Sequence, residues 1–234
     1  VGQNGAGKST LIKILTGAYR RDEGSIKFSG QEIDFASPQG AQNAGISTIY
    51  QEVNLVPLRT VTENIFLGRE KKHFGLLEWR KMNQEATELL KRFDVHIDVT
   101  HPLGSYNIAI QQMVAIARAG SVNAKLVVMD EPTSSLDERE VEVLFNVIRQ
   151  LKREGVSVIF ITHRLDELYV VCDRITILRD GRTVFEGEMK DLGKLELVSR
   201  MIGKKLDEVV AAGQTAFEKR DAVIAKPLLE ATRL

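Results

Sequence analysis

The sequence predicts an α/β fold in which a mostly parallel sheet carries an antiparallel β edge and a helical insertion. Three observations lead to this prediction. A glycine-rich loop near the start of the chain runs directly into a helix, short apolar runs typical of buried strands alternate with amphipathic helices, and a long stretch of helical periodicity interrupts the alternation. We expect one domain over residues 1–204, with a helical subdomain at about 53–124.

The composition of the 234-residue chain is that of a globular protein, with 43% hydrophobic and 27% charged residues. Basic and acidic residues are equal in number, so the formal net charge is zero, which argues against a nucleic-acid partner. The single cysteine, Cys172, excludes an internal disulfide. No apolar run reaches the ~18 residues that a transmembrane helix needs. Any function at a membrane therefore requires a partner that spans it.

The first elements of the chain are the glycine-rich loop and its helix. Residues 2–10 match the pattern G-x-x-x-x-G-K-[ST], in which backbone N–H groups form an anion-binding nest, Lys8 reaches the outer phosphates and Ser9 binds Mg²⁺. The helix that starts at Lys8 points the positive end of its dipole at the same place. This predicts a P-loop NTPase core, against the alternative of a glycine turn that happens to precede a helix. The residues expected at the nucleotide are Gly2, Gln3, Asn4, Gly5, Ala6, Gly7, Lys8, Ser9 and Thr10.

Strands and helices then follow one another to about residue 204. Alternating or apolar runs predict strands at 24–28, 46–50, 126–129 and 156–161, and an Asp-Gly turn predicts a hairpin over 174–185. Apolar residues at helical spacing predict helices that begin near Trp79, at 110–119, at 138–154 and after Asp166. A parallel sheet with crossover helices requires this alternation.

Polar side chains stand at the ends of three of these predicted strands. Asp130 directly follows the third strand and is suited to hold Mg²⁺, and Glu131 comes next and is suited to polarise an attacking water. His163 follows the fourth strand, and Gln51 follows the second. Because the carboxyl ends of neighbouring parallel strands meet at one edge, we expect these groups to gather at the nucleotide. The alternatives are a solvated acid-proline turn, a histidine that only begins a helix and a glutamine in an ordinary loop.

Taken together, these motifs resemble those of the ATP-binding-cassette ATPases over nearly the whole chain. The matched segments are the Walker A loop at 2–10, the Walker B strand at 126–130 and the D-loop at 135–137. The resemblance implies that Glu131 is the catalytic glutamate, Gln51 the residue of the glutamine loop and His163 the switch histidine. It also implies ATP and Mg²⁺ as ligands. The implied metal-holding residues, acting directly or through water, are Ser9, Gln51 and Asp130.

The same resemblance assigns residues 106–112, Tyr-Asn-Ile-Ala-Ile-Gln-Gln, to the signature that the family writes Leu-Ser-Gly-Gly-Gln. In the family each ATP lies between the Walker A loop of one cassette and the signature of a second, which implies Asn107 and Ala109 at the partner's nucleotide. Asn107 replaces a serine, Ala109 the second glycine and Ile110 the glutamine. The methyl group of Ala109 crowds a place where backbone approaches phosphate closely. We expect the ATP site that this signature completes to be weak and the site on this chain's own Walker motifs to be intact.

Four longer segments are similar to the bacterial monosaccharide importers of the ribose, galactose and xylose type. They are NGAGKST, QQMVAIARA, DEPTSSL and THRLDE. The ATPase of such importers is one polypeptide with two cassettes, which implies that this chain is the first cassette, truncated at both ends. On this interpretation its first strands and the aromatic that stacks on adenine lie before Val1, residues 205–226 are a linker, and residues 227–234 start the second cassette.

The resemblance implies a subunit that couples ATP hydrolysis to uptake of a monosaccharide. The implied partners are a second cassette, separate transmembrane permease subunits contacted through about 53–104, and, indirectly, a periplasmic sugar-binding protein, with no nucleic acid. The implied location is peripheral, on the cytoplasmic face of the inner membrane. Two other functions stay open, a soluble cassette ATPase such as a ribosome-associated factor and a small-molecule P-loop kinase. A kinase does not explain Glu131 next to Asp130, and ribosome-associated cassettes usually carry basic linkers, whereas 208–226 is mixed in charge.

Overall fold

The structure is a computed structural model and describes residues 1–49, 55–120 and 124–205. Its helices are α1 (Lys8–Leu15), α2 (Pro38–Asn43), α3 (Val61–Phe66), α4 (Trp79–Lys91), α5 (Ile108–Gly120), α6 (Glu138–Arg153), α7 (Leu165–Val171) and α8 (Lys194–Ile202). Its strands are β1 (Ile26–Phe28), β2 (Gln31–Ile33), β3 (Ile46–Ile49), β4 (Lys72–His73), β5 (Leu76–Leu77), β6 (Leu126–Asp130), β7 (Ser157–Ile161), β8 (Arg174–Arg179) and β9 (Arg182–Glu188). Short 3₁₀ turns lie at Leu103–Ser105 and Met189–Asp191.

A parallel sheet in the order β3-β6-β7 organises the fold. Its middle strand, β6, is buried up to Met129, as expected for an apolar strand with a neighbour on each side. The register sets Ile49 beside Met129, and Asp130 beside Ile161. The carboxyl ends of the three strands therefore meet at one edge, and the predicted α/β fold with a parallel sheet is confirmed.

Successive side chains of β6 enter two different hydrophobic cores. Val127 and Met129 lie in the larger core, together with the buried faces of α4, α5 and α6. Leu126 and Val128 lie in a smaller core, together with Ile12 of α1. Because successive residues of a strand point to opposite faces, α1 packs on one face of the sheet and α6 on the other. The helix that follows the glycine-rich loop is thus fixed directly against the central strand.

Strand β7 differs from the buried strand that the sequence predicts. Ser157 and Ile159 are exposed, because they lie on the face of β7 that borders a cavity of about 560 Å³ extending to β8. Among the described strands, β7 bonds only to β6. Val1 lies against this cavity. Its amine donates to the carbonyl of Thr176 at 2.8 Å, and the N–H of Leu178 donates to the carbonyl of Val1 at 2.8 Å. This is the hydrogen-bond pattern of adjacent parallel strands. Val1 is therefore held beside β8, immediately before the glycine-rich loop.

The antiparallel edge is formed by β8 and β9, which turn at Asp180 and Gly181 as the sequence predicts. Both turn residues have positive φ angles, 51° and 74°, which suits a two-residue hairpin turn between twisted strands. The N–H of Gly181 donates to the carbonyl of Ala6 at 3.2 Å. This hydrogen bond therefore holds the glycine-rich loop against the β8–β9 turn.

The region between β3 and β6 is mostly helical. Helix α3 starts with a capping box, in which Thr60 Oγ1 accepts from the N–H of Glu63 and the Glu63 carboxylate accepts from the N–H of Thr60. The predicted amphipathic helix from Trp79 is confirmed as α4, and its buried face and C-terminal extension consist of Met82, Ala86, Leu89, Leu90 and Phe93. The region also contains the β4–β5 hairpin, which the sequence analysis does not predict because strands of two residues carry no alternating pattern.

Candidate active site

The glycine-rich loop forms a closed turn at the start of α1. The N–H of Ala6 donates to the carbonyl of Gln3 at 3.1 Å, and the Ala6 side chain is buried beneath the loop. Gly7 precedes the helix with a φ of 95°, a conformation that glycine adopts readily, and it offers no side chain to cap the helix. The N–H groups of the first helical turn thus lack a side-chain cap and are suited to bind an anion.

The Lys8 side chain folds back over this loop. Its Nζ donates to the carbonyl of Gly2 at 2.7 Å and to that of Gln3 at 2.9 Å. These contacts hold a positive charge within the loop, beside the helix N-terminus. Two sources of positive potential are therefore combined at one place, where phosphate oxygens would be neutralised.

Asp130 ends β6 close enough to Lys8 for their charges to interact. Burial raises the pKa of the Asp130 carboxyl, the negative charge of Glu131 raises that pKa further, and Lys8 acts in the opposite direction. The positive charge of Lys8 does not offset the other two effects. A divalent cation that prefers oxygen ligands would stabilise the ionised form of this carboxylate. Within the described ranges no cluster of three or more acidic, histidine or cysteine ligands exists. Mg²⁺ in proteins is often held by only one or two side-chain oxygens. Asp130 and the Ser9 hydroxyl at the start of α1 are oxygen ligands of this kind.

Glu131 and His163 face each other across the ends of β6 and β7. The Oε2 atom of Glu131 lies 3.4 Å from the Nδ1 atom of His163, with the side chains 25% and 64% exposed. The backbone N–H of Glu131 donates to the carbonyl of Ile161 at 2.9 Å, and its φ angle is 50°. A positive φ costs a non-glycine residue about 1–3 kcal/mol, so the surrounding hydrogen bonds must impose it. The strained turn separates the direction of the Glu131 side chain from that of Asp130.

The structure brings together Lys8, Asp130, Glu131 and His163 at the carboxyl edge of the sheet. Gln51, the remaining strand-end residue of the predicted site, lies outside the described residues, so its role stays a prediction. Residues 206–226 of the predicted linker and the predicted start of a second cassette at 227–234 also lie outside the described residues and stay predictions.

The signature segment lies at the start of α5. Asn107 caps this helix, because its Oδ1 accepts from the N–H of Ile110 at 3.0 Å, and its Nδ2 donates to Glu140 of α6 at 3.3 Å. Ala109 is buried, and the Gln112 amide donates to the carbonyl of Pro132 at 3.4 Å. The segment thus contacts the loop that carries Glu131, while the roles of Asn107 and Ala109 at a nucleotide stay predictions.

Glu167 is a buried polar group near this edge to which the sequence analysis assigns no role, although it ends the segment THRLDE. It lies on α7, and its carboxylate accepts hydrogen bonds from the hydroxyls of Thr133 and Thr162. In the sequence it follows Asp166, another acidic residue, and nothing in the local pattern distinguishes the exposed carboxylate from the buried one. Its two threonine partners come from different loops, so the local sequence gives no sign of the pairing.

A family model described as "ABC transporter" matches residues 1–134. The galactofuranose transporter ATP-binding protein YtfR of Escherichia coli (strain K12) is 48% identical over 228 residues, which cover 97% of this chain. The ribose import ATP-binding protein RbsA of Geobacillus kaustophilus is 44% identical over 236 residues, which cover 100% of this chain. In both cases the match covers 46% of the relative, so the chain spans less than half the length of these curated proteins.

Solved structures of ATP-binding cassettes share the fold. The ADP conformation of MJ1267, a cassette of an ABC transporter, aligns with a TM-score of 0.73 at 27% identity, covering 90% of this chain and 85% of that one. A nucleotide-free cassette from an ABC transporter aligns with a TM-score of 0.74 at 26% identity, covering 89% and 85%. The dimeric cassette MJ0796 bound to ADP and Pi aligns with a TM-score of 0.67 at 26% identity, covering 80% and 83%.

Proposed function

This chain belongs to the ABC transporter family, and from that premise we propose that it is the first ATP-hydrolysing cassette of a bacterial monosaccharide importer. The observation that carries the ATPase proposal is the meeting of Lys8, Asp130, Glu131 and His163 at one sheet edge. The similarity to a galactofuranose transporter protein and a ribose import protein supports a sugar as the cargo. Neither of these relatives supports a function outside transport.

The phosphate loop and Lys8 bind the triphosphate of ATP in this proposal. Backbone N–H groups of residues 2–10 and the Lys8 ammonium hold the outer phosphates, while Ser9, Asp130 and Gln51 hold Mg²⁺ directly or through water. When bound, Mg²⁺ supplies positive charge to the phosphate oxygens. The pKa of Asp130 is raised chiefly by burial and further by the charge of Glu131, and a bound cation would favour its ionised form.

Glu131 and His163 perform the chemical step. Glu131 orients or deprotonates the water that attacks the γ-phosphorus. Its carboxylate lies at the carboxyl edge of the sheet and is only partly buried, so water can reach it. His163 contacts the γ-phosphate and, 3.4 Å from Glu131, sets the position of that carboxylate. Catalysis of this kind consists of positioning and electrostatic stabilisation, so each aimed group contributes strongly to the rate.

A groove in the helical region is the proposed contact with a permease. It has a volume of about 570 Å³ and lies between α3, the β4–β5 hairpin and the start of α4, with Phe66, Leu77, Trp79 and Met82 on its apolar wall. At the tip of the hairpin Phe74 is 94% exposed, and the neighbouring Leu76 is 76% exposed. The rest of the groove lining is mostly polar and includes Arg59, Glu63, Glu70 and Lys72. Exposed apolar side chains beside such a groove are typical of a protein–protein contact. Within the described ranges, every helix is too short or too polar to span a bilayer.

The remaining partners follow from the family. We place a second cassette opposite this one, with Asn107 and Ala109 at its nucleotide, and a periplasmic sugar-binding protein on the far side of the permease. The working position is then peripheral, on the cytoplasmic face of the inner membrane. The dimeric form of the similar cassette MJ0796 supports the pairing.

Reconstitution tests this function as a whole. The full-length protein and its permease are placed in liposomes, and Mg-ATP hydrolysis is measured with the binding protein carrying galactofuranose, ribose or no sugar. Stimulation by one sugar-loaded binding protein supports the proposal, and hydrolysis that no sugar changes contradicts the importer assignment. Glu131→Gln should abolish the stimulated hydrolysis. Glu142→Gln is the matched control, because Glu142 is an exposed carboxylate on α6 that pairs with Arg149.

A further inference from the structure

The Glu167 carboxylate is buried beside the catalytic edge, although the mechanism above assigns it no role. It lies on α7, and the side chain is 5% exposed. Removing an ionised carboxylate from water is unfavourable by several kcal/mol unless partners compensate for the lost hydration. The identity of those partners therefore indicates what the fold gains from this group.

Two hydroxyls donate to the same oxygen of Glu167. The Oγ1 atom of Thr162 lies 2.7 Å from Oε2, and the Oγ1 atom of Thr133 lies 3.0 Å from it. Both threonines are buried. An ionised carboxylate only accepts hydrogen bonds, so each hydroxyl must direct its single proton toward Glu167. Both threonine side chains are thereby fixed in one orientation.

The two threonines belong to the two loops that carry the reacting side chains. Thr133 follows Glu131 by two residues, and Thr162 directly precedes His163. The Thr162 hydroxyl also accepts from the N–H of Arg164 at 2.9 Å, which closes a tight turn around His163. One carboxylate oxygen thus joins the end of β6 to the end of β7.

Arg164 partly balances the charge of Glu167. Its Nε lies 3.1 Å from the second carboxylate oxygen, Oε1, but the two groups are not aligned for a hydrogen bond, and Oε1 has no other partner in the described chain. The directional bonds of Glu167 therefore all go to the threonine hydroxyls. The arrangement is suited to holding two loops in register, since charge-assisted hydrogen bonds are short and orientationally specific.

We infer that Glu167 is a positioning residue that locks the Glu131 loop to the His163 loop and maintains their 3.4 Å contact. This role rests on the proposed ATPase function. Glu167 does not contact the Lys8 ammonium, whose hydrogen bonds go to Gly2 and Gln3. Loss of the link should therefore disturb the chemical step and leave nucleotide binding in place.

Glu167→Leu in the full-length protein tests the inference through the split between kcat and KM, because leucine has no oxygen to accept from the two hydroxyls, whereas the amide oxygen of a glutamine could still accept from both. A misplacement of about 1 Å at a catalytic group lowers a rate by up to about a hundredfold, so we expect kcat to fall by roughly ten- to a hundredfold. The KM for ATP should change by less than about twofold, because the phosphate loop is untouched. The matched control is Asp166→Asn, which removes an exposed carboxylate one residue away on the same helix, paired with Lys194.

A second pair of variants covers the case in which Glu167→Leu does not fold. Thr133→Val with Thr162→Val removes both donors while keeping the side-chain shapes, and Thr133→Ser with Thr162→Ser keeps both hydroxyls. We expect the valine pair to lose kcat to the same extent as Glu167→Leu and the serine pair to retain it. Where Glu167→Leu folds, combining it with the valine pair should add little further loss, because all three changes break one link.

The outcomes distinguish failure of the positioning role of Glu167 from failure of the proposed ATPase function. A normal kcat in the valine pair, or in a folded Glu167→Leu protein, would overturn the positioning role. So would a raised KM at unchanged kcat, or equal losses in the valine and serine pairs. Absence of ATP turnover in the wild-type protein would instead overturn the proposed function, and this role with it.

Discussion

The Nδ1 atom of His163 lies 3.4 Å from the Oε2 atom of Glu131, at the ends of two adjacent parallel strands. The register that pairs Asp130 with Ile161 determines this approach, since each reacting residue comes at or just after the end of its strand. The backbone bond from Glu131 to the carbonyl of Ile161 strengthens it. The sheet therefore brings the two loops together, and the proposed Glu167 link holds them in register.

His163→Ala is expected to lower kcat for ATP hydrolysis by about a hundredfold, because the imidazole that is positioned to contact the γ-phosphate is lost. ATP affinity should remain, since the phosphate loop keeps its contacts. Steady-state ATPase kinetics of the full-length protein measure both quantities. His96→Ala is the control, because His96 is exposed beside Asp94 and away from the sheet edge. Equal rates for the two variants would contradict the role of His163.

Asp130→Asn is expected to raise the thermal unfolding midpoint at pH 7 in the absence of Mg²⁺. The pKa of Asp130 is raised above the usual 3.8, chiefly by burial. A folded-state pKa above the unfolded value contributes stability below the unfolded pKa, and this contribution is lost as the pH rises through the folded pKa. The ionised wild type thus carries a penalty at pH 7 that asparagine lacks, and the difference should shrink toward pH 4. A lower midpoint for the variant at pH 7 would contradict this explanation.

Gly2→Ala is expected to destabilise the protein by about 1–3 kcal/mol and to weaken ATP binding, because overpacking displaces the loop. A Cβ atom at Gly2 would lie 2.3 Å from the carbonyl oxygen of Leu178, a backbone atom held within β8. Gly40→Ala is the control, since a Cβ there meets only ordinary contacts on α2. Urea unfolding and an ATP titration of the full-length protein compare Gly2→Ala with Gly40→Ala. Equal free energies of unfolding for the two variants would contradict the close approach of Gly2 to β8.

Leu76→Ser is expected to weaken association with the permease by about tenfold or more, as expected when a central apolar contact is removed. Leu76 is exposed on the β4–β5 hairpin, and the next residue, Leu77, lines the groove. Co-purification or a binding titration with the detergent-solubilised permease measures the change. Leu195→Ser, which alters an exposed leucine on α8, provides the comparison. If both variants bind the permease as the wild type does, the proposed contact lies elsewhere.

Elements with strong local patterns were predictable from the sequence. Helix α4 follows from its apolar spacing, the β8–β9 turn from the Asp180-Gly181 pair, and the phosphate loop from its glycines and Lys8. Features that depend on neighbours distant in sequence were not. The exposure of Ile159 depends on which strand lies beside β7, and the burial of Glu167 depends on two threonines from other loops.

Glu131→Gln in the full-length protein tests the central claim most directly. The amide keeps the shape of the side chain but cannot act as a base, so Mg-ATP should still bind with near-normal affinity while turnover falls by about 10²–10³-fold or more. Equilibrium binding of Mg-ATP and steady-state release of phosphate are measured on the same preparation. Bound nucleotide without turnover is the predicted result, and hydrolysis at the wild-type rate would contradict the assignment of Glu131 and the mechanism built on it.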